Sequence, residues 1–460
     1  MSGFPPDLFA GRRFLVVGLG RNGLEASRAL TRMGAAVVAW DDALPARESA
    51  AREGIVVRDP LSVDFGFESL ILSPGIPHRL PAAHPTAARA QREGVPILSD
   101  AELLFCAVRA SGSHARFAGI TGTNGKSTTT ALLAHILAVA GVPVAAGGNL
   151  GPAALALPLL PDDGVYVLEM SSYMLERLAT LRFDVAAMLN LSADHLDRHG
   201  DMAAYAAVKR AIFDRQRAGD VAVLGIDDAL SVAMADGLTE SGTVLRVSGT
   251  RPADVWCDVG VLRDTGGPIL AMREAPALPG AHNAQNAAAA AAMALALGAT
   301  RQDVARGLAG FPGLPHRQER IATIDGIAFI NDSKATNADA AGRALACYDR
   351  LVWIAGGIAK AGGIAPLAPC FPRIAEALLI GRDAGTLAAT LAAAGVPHRI
   401  LGTLEAAVPA ALTAARTLAA SVVLLSPACA SFDQFSGFDA RGERFRDLVL
   451  RLAEPQGRAA

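Results

Sequence analysis

A chain of 460 residues has room for about three domains of roughly 150 residues each, with several buried cores. Its formal net charge is -2, with 52% hydrophobic and 19% charged residues, so bulk electrostatics gives no case for a nucleic-acid partner or an anionic membrane. The stretch MSGFPPDLFAGRRFLVVG lacks the basic, apolar and cleavage order of a signal peptide, and no uncharged apolar run of about 18 residues calls for a membrane helix, so a cytoplasmic protein is expected.

In chain order, RFLVVGLG reads as a strand, NGLEASRALTRMG as a helix, AAVVAWDD as a strand and SLILSPGI as another, an open α/β pattern. A second cycle starts at Phe117, with strand RFAGITG, a loop, and helix KSTTTALLAHILAVAG. GVYVLEMSS and VAAMLNLS follow as buried strands, and a long alanine-rich helix runs from near His282 to Gly298. GFPGLPHRQER then breaks the periodicity. A third cycle places strands in IAFINDS, RLVWIAGG, EALLIG and SVVLLSPA. Strands alternating with helices predict largely parallel sheets. The expected domains are 1–112, 113–313 and 314–460, an α/β chain of three open sheets with flanking helices. The five cysteines (Cys106, Cys257, Cys347, Cys370, Cys429) show no C-x-x-C pair, which argues against zinc and a disulfide framework; most are expected to be buried.

Two glycine loops carry chemistry. Gly18, Gly20 and Gly23 spell G-x-G-x-x-G, and Asp41 follows after a strand, which taken alone indicates an NAD-dependent oxidoreductase. In the second cycle TGTNGKST sits between a strand and a helix, with Ile120 where the common phosphate-loop spelling has its first glycine. Gly122 and Gly125 let successive N–H groups turn toward one anion, and the helix start adds its dipole. Lys126 supplies a charge for β- and γ-phosphate oxygens, and the Ser127 hydroxyl suits Mg²⁺. Glu169 ends a strand beside that loop, a natural Mg²⁺ ligand position that elsewhere is a solvated rim. Lys209 lies on a helix side with Tyr205 and Ile212 or Phe213; buried, its neutral amine can react with CO₂, and otherwise it is a snorkelling lysine. Asn283 and Asn286 share a helix face, with a helix cap as the plain alternative for Asn283. His199 reads as surface. A hydride-transfer enzyme leaves the phosphate loop, the metal-ligand candidates and the third α/β domain without a role.

TGTNGKST, NLSADHLDRHG, FINDSKATN and LLSPACASFDQFSGFDARG, in this order, resemble the Mur ligase family, over nearly the whole chain and closest to its D-glutamate-adding members. The resemblance implies a Rossmann-like N-terminal domain, a central phosphate-loop ATPase-like domain and a Rossmann-like C-terminal domain. It implies ATP-dependent amide formation through an acyl phosphate, in peptidoglycan precursor synthesis. The substrates would be UDP-N-acetylmuramoyl-L-alanine and D-glutamate, or L-glutamate, since chirality is not legible; another Mur ligase or a folylpolyglutamate-type ligase is the alternative, which the last segment argues against. ATP and two Mg²⁺ ions, or Mn²⁺, would be needed, with no nucleic acid, no membrane insertion and a monomeric state.

Residue by residue, the resemblance assigns ATP to Gly122, Thr123, Asn124, Gly125, Lys126, Ser127, Thr128, Asn283, Asn286, Arg317 and Asp332. It assigns the UDP-sugar to Gly20, Arg21, Asn22, Gly23, Asp41, Ser73 and Asn149. Glutamate falls to His195, Lys334, Thr336, Lys360, Ser431, Phe432 and Phe438. A dicarboxylate needs a cation and hydroxyl or N–H donors for its distal carboxylate. Lys360 departs from the pattern, since Ile358 and Ala359 precede it where the family often has an acidic residue. Metal falls to Ser127, Glu169, His195 and Lys209, the last as a carbamate, and catalysis to Lys126, Glu169, His195 and Lys209. Substrates drawn from three domains imply closure of the third, with glutamate binding last.

Overall fold

The computed structural model describes residues 3–149, 151–238, 242–360 and 362–453. The described residues form three sheets in two compact units. One unit comprises Met1–Glu274 with Asn283–Gly310, the other Ala275–His282 with Phe311–Ala460.

The first unit begins with β1 (Arg13–Val17), β2 (Ala36–Trp40), β3 (Ser69–Leu72) and β4 (Ile97–Leu98), an all-parallel sheet in the order β2-β1-β3-β4. The apolar runs RFLVV and SLIL are buried along almost their whole length, as strands covered on both faces must be. A second sheet is built from β5 (Arg116–Thr121), β6 (Val144–Gly148), β7 (Val165–Glu169), β8 (Val185–Met188), β9 (Val221–Gly225), β10 (Thr243–Ser248), β11 (Val255–Asp258), β12 (Val261–Asp264) and β13 (Gly267–Ala271). Its order is β13-β12-β11-β10-β9-β8-β5-β7-β6. Seven strands run parallel, while β12 and β13 add an antiparallel meander that alternation with helices does not predict. The meander is joined by short turns, which antiparallel pairing alone allows.

β5 sits inside this sheet between β7 and β8. The phosphate loop and Glu169 therefore leave the carboxyl ends of neighbouring strands, where open α/β sheets place their ligands. The alanine-rich helix Ala281–Ala296 is buried on nearly every side, since alanine lets backbones approach closely. Asn283 is its third residue and not its cap.

The second unit holds β14 (Glu319–Ile324), β15 (Ile327–Asn331), β16 (Leu351–Gly356), β17 (Ile374–Ile380), β18 (His398–Gly402) and β19 (Val422–Leu425), in the order β14-β15-β19-β16-β17-β18. Only β14 pairs antiparallel. β15 and β19 lie side by side, so the segments FINDSKATN and LLSPACASFDQF emerge from adjacent strand ends. All five cysteines are free, and only Cys429 is buried; the other four are partly exposed, contrary to expectation.

Candidate active site

The phosphate loop needs its glycines where they stand. Gly122 has φ 149° and Gly125 φ 85°, and Gly125 is the left-handed cap of the helix Lys126–Val139. A Cβ on Gly125 would lie 2.2 Å from the Asn286 carboxamide oxygen, so Asn286 rests directly on the loop. Asn286 is held by Thr129 Oγ1 at 3.3 Å and itself donates to Asn283 Oδ1 at 3.1 Å, with both asparagines buried. Lys126 Nζ donates to the carbonyls of Gly122 and Thr123 at 2.9 and 2.8 Å. Ser127 is buried at the first helical turn and Thr128 is half-buried beside it.

Lys209 enters the same space. It is 1% exposed, and its Nζ donates to Gly122 O at 2.9 Å and Thr121 Oγ1 at 3.3 Å, above the Tyr205 ring. Burial, reinforced by the Lys126 cation, holds its amine well below the usual lysine pKa. The helix Met202–Arg210 ends before Ile212 and Phe213, which are buried in the following turn.

Glu169 is buried, and its Oε1 accepts from Asn149 Nδ2 at 2.7 Å. Its Oε2 is buried with no hydrogen-bond partner among the described residues. A bare carboxylate oxygen of this kind, beside a phosphate loop, fits a divalent cation. Among the described residues no group of three or more His, Cys, Asp or Glu side chains is gathered as a preformed metal site.

His195 has φ 54° and caps the short turn Leu196–His199. It is half-exposed beside Tyr173, and its pKa is lowered by partial burial, with Lys126 and Lys209 adding to this and Asp194 opposing. His199 is not on the surface. Its side chain is 1% exposed, with Nε2 2.9 Å from Ser172 Oγ, Nδ1 3.2 Å from Glu176 Oε1 and its ring stacked on Tyr173.

The first glycine loop meets this cluster. A Cβ on Gly23 would lie 1.8 Å from Gly18 O, which explains the third glycine. Gly20 caps the helix Arg21–Arg32 without a side chain. Ser73 Oγ donates to Gly18 O at 2.7 Å, and both Asp41 oxygens accept backbone N–H groups, from Leu19 at 2.6 Å and Ala43 at 2.8 Å. Arg21 reaches Asn149 O at 3.2 Å and Asn22 reaches Gly148 O at 3.4 Å, so a polar chain runs from Arg21 through Asn149 to Glu169. Arg177, absent from the sequence reading, is buried and donates to Leu72 O, Ser73 O and Ile76 O, which binds the loop carrying Ser73 to the segment after Glu169.

In the second unit, Lys334 Nζ lies 3.6 Å over the Phe438 ring, and Ser333 Oγ donates to Phe438 O at 2.7 Å. Ser431 is buried, Thr336 is half-buried, and Phe432 is 70% exposed, with its ring toward solvent. A bridge between Ile358 and Ala430 brings the strand end before Lys360 beside Ser431; Lys360 itself is exposed. Asp332 is buried, accepts from Ser426 Oγ at 2.8 Å and Gln318 N at 3.1 Å, and has its pKa raised to about 7 by burial. Arg317 lies between two residues of positive φ, His316 and Gln318, and its charge acts on Asp332. Arg441 was not anticipated. It is 1% exposed and binds Ser333 Oγ and O, Gly356 O and Cys429 O, stitching both predicted glutamate segments together. In sequence it is one more charge on an amphipathic helix.

A phosphate loop opening on a buried lysine and a half-satisfied carboxylate, with a second glycine loop joined to it, defines a nucleotide-using α/β enzyme. The Mur ligase middle domain matches residues 120–294, and the Mur ligase glutamate ligase domain matches residues 316–429. Proteins named UDP-N-acetylmuramoylalanine–D-glutamate ligase are similar over almost the full length. That of Paramagnetospirillum magneticum is 49% identical, covering 98% of this chain and 99% of its own, and that of Caulobacter vibrioides is 47% identical, covering 98% of each. Among solved structures, MurF of Acinetobacter baumannii has a TM-score of 0.62 at 18% identity, covering 95% of this chain and 93% of its own. The UDP-N-acetylmuramate-alanine ligase of Thermotoga maritima has a TM-score of 0.60 at 17% identity, covering 96% and 99%. The chain belongs to the Mur ligase family.

Proposed function

We propose that the chain joins D-glutamate to the L-alanine carboxylate of UDP-N-acetylmuramoyl-L-alanine at the expense of ATP, through an acyl phosphate, in peptidoglycan precursor synthesis. The observation that carries the ATP half is that Lys126 and Lys209 both donate to Gly122 O of the glycine loop, while Glu169 ends the strand paired beside β5. The substrate pair is supported by the names and near-complete coverage of the relatives.

In this account residues 1–112 bind the UDP-sugar, 113–313 bind ATP and 314–460 bind the amino acid. Gly20, Arg21, Asn22 and Gly23 cradle the diphosphate, with Ser73 and Asp41 shaping that loop and Asn149 bridging it to Glu169. The alanine carboxylate attacks the γ-phosphorus of ATP, ADP leaves, and Lys126 neutralises charge on the transferred phosphoryl group. The glutamate amine then attacks the acyl carbon, loses a proton, and inorganic phosphate leaves. Ser431, Phe438, the Phe432 backbone N–H and Lys360 hold the distal carboxylate of glutamate, while Lys334, Thr336 and His195 face the amino acid. Asn283 and Asn286 hold adenine, Asp332 the ribose and Arg317 the phosphates.

Glu169, Ser127, His195 and carbamylated Lys209 would hold two Mg²⁺ ions, with Mn²⁺ as a substitute. When bound, they supply positive charge to the phosphoryl oxygens and the tetrahedral intermediate. The depressed pKa of Lys209 favours the neutral amine that carbamate formation requires. A cytoplasmic location is proposed because the reaction uses ATP and a UDP-linked substrate, and a monomer of 47.2 kDa is the proposed working form. Phosphate release from ATP, measured with the UDP-substrate and D-glutamate, L-glutamate, L-alanine, meso-diaminopimelate or no amino acid, tests the assignment. Release with D-glutamate alone is expected. Release with L-glutamate alone keeps the chemistry and replaces the substrate.

A further inference from the structure

Asn190 follows β8, directly before the segment that carries His195. Its side chain treats Asn124 of the phosphate loop as a strand would treat a partner. Oδ1 accepts from Asn124 N at 2.9 Å, and Nδ2 donates to Asn124 O at 3.2 Å. The backbone of Asn190 continues the pairing, accepting from Thr123 N at 2.9 Å. Two residues on, Ser192 N donates to Thr123 Oγ1, and that hydroxyl lies within bonding distance of Ser192 O, both at 3.1 Å.

Asn190 also touches the asparagine-bearing helix, with Nδ2 3.4 Å from Gln285 Oε1. Gln285 is buried, and its Nε2 has no hydrogen-bond partner among the described residues. Its neighbour Asn286 is the residue resting on Gly125. Three structures therefore meet at Asn190: the loop tip, the helix that bears Asn283 and Asn286, reached through Gln285, and the strand leading to His195. The amides of Thr123 and Asn124 are consumed by Asn190, so phosphate would be cradled by amides from Gly125 onward.

We propose that Asn190 is the positioning residue of the phosphate loop, fixing the Asn124 peptide so that the nucleotide seat and the His195 segment keep one register. The proposal deepens the ligase reading and rests on it for its kinetic test. Two variants of the full chain are compared with wild type: Asn190→Ala, which removes both bonds, and Asn190→Asp, which keeps the volume and the acceptor.

Three quantities are measured: KM for each substrate, MgATP affinity by calorimetry, and exchange of the Asn124 amide proton. Asn190→Ala is expected to raise the ATP KM and dissociation constant at least tenfold, to leave the UDP-substrate KM within twofold, and to speed Asn124 exchange. Asn190→Asp is expected to weaken ATP as well while keeping the Asn124 amide protected, and it serves as the test if the alanine variant does not fold. Unchanged ATP affinity in either variant, or an equal loss for all three substrates, would overturn the proposal. A wild-type chain that forms no amide, yet loses Asn124 protection and ATP affinity on Asn190→Ala, would remove the ligase reading and leave the tether standing.

Discussion

Lys209 carries its amine into the interior on a helix of nine residues, with 1% of its surface exposed and, among the described residues, a hydroxyl and a carbonyl rather than a carboxylate as acceptors. A lysine whose folded pKa is depressed leaves the unfolded chain holding the extra proton, so stability rises with pH until the unfolded pKa of about 10.4 is reached. Lys209→Met removes that linkage. In CO₂-free buffer the variant should melt at or above the wild-type temperature at pH 7. The wild type should close the gap by up to about 1.4 kcal/mol per pH unit toward pH 10, while the variant loses at least about 100-fold in activity. An equal pH slope in both proteins, by denaturant titration, would contradict the assignment.

Asp332 works in the opposite sense. Its folded pKa of about 7 lies above the unfolded value, so the folded state holds the proton and stability falls as pH rises through roughly 4 to 7. Asp332→Asn should therefore match wild type near pH 4 and exceed it at pH 8, while binding ATP more weakly; melting curves at the two pH values check this. Placement was legible at Lys126, on the glycine loop, at Glu169, at a strand end beside it, and at Lys209, buried on its helix side. It was illegible at His199, Arg177, Arg441 and Asn190, because each acts through partners distant in sequence and looks alone like a solvated polar residue.

At the scale of elements, the loop between β5 and its helix depends on backbone shape. Gly125→Ala combines a left-handed φ of 85° with a Cβ 2.2 Å from Asn286 Oδ1. It should cost about 1–2 kcal/mol in stability and at least tenfold in ATP affinity, as read by calorimetry and thermal melting. Ten strands were readable from apolar runs between glycine and proline breaks, while β4, β6, β9, β10, β14 and β18 went unnamed. The meander β11–β13 was not readable either, since half-exposed strands such as VLRD and GPILA lack a buried run. Nor was the strand order, which sets β15 beside β19 and so joins the two segments that Arg441 holds.

For the whole molecule, residues proposed for one substrate are divided between the two units. The phosphate loop, Asn283 and Asn286 belong to one, Arg317 and Asp332 to the other, together with every proposed glutamate contact except His195. Under the proposed assignments, glutamate would bind after ATP and the UDP-substrate. Initial-rate and product-inhibition patterns should be ordered, with glutamate last; a random pattern would count against this division of labour.

The most direct measurement is the mass of the product. Purified protein is incubated with ATP, Mg²⁺, UDP-N-acetylmuramoyl-L-alanine and D-glutamate, and the UDP-linked material is weighed by mass spectrometry. The account predicts one new species, heavier than the substrate by glutamate less one water, formed in equal amount with ADP and phosphate and absent without ATP. ATP hydrolysis with the UDP-substrate unchanged, or no ATP turnover at all, would contradict it.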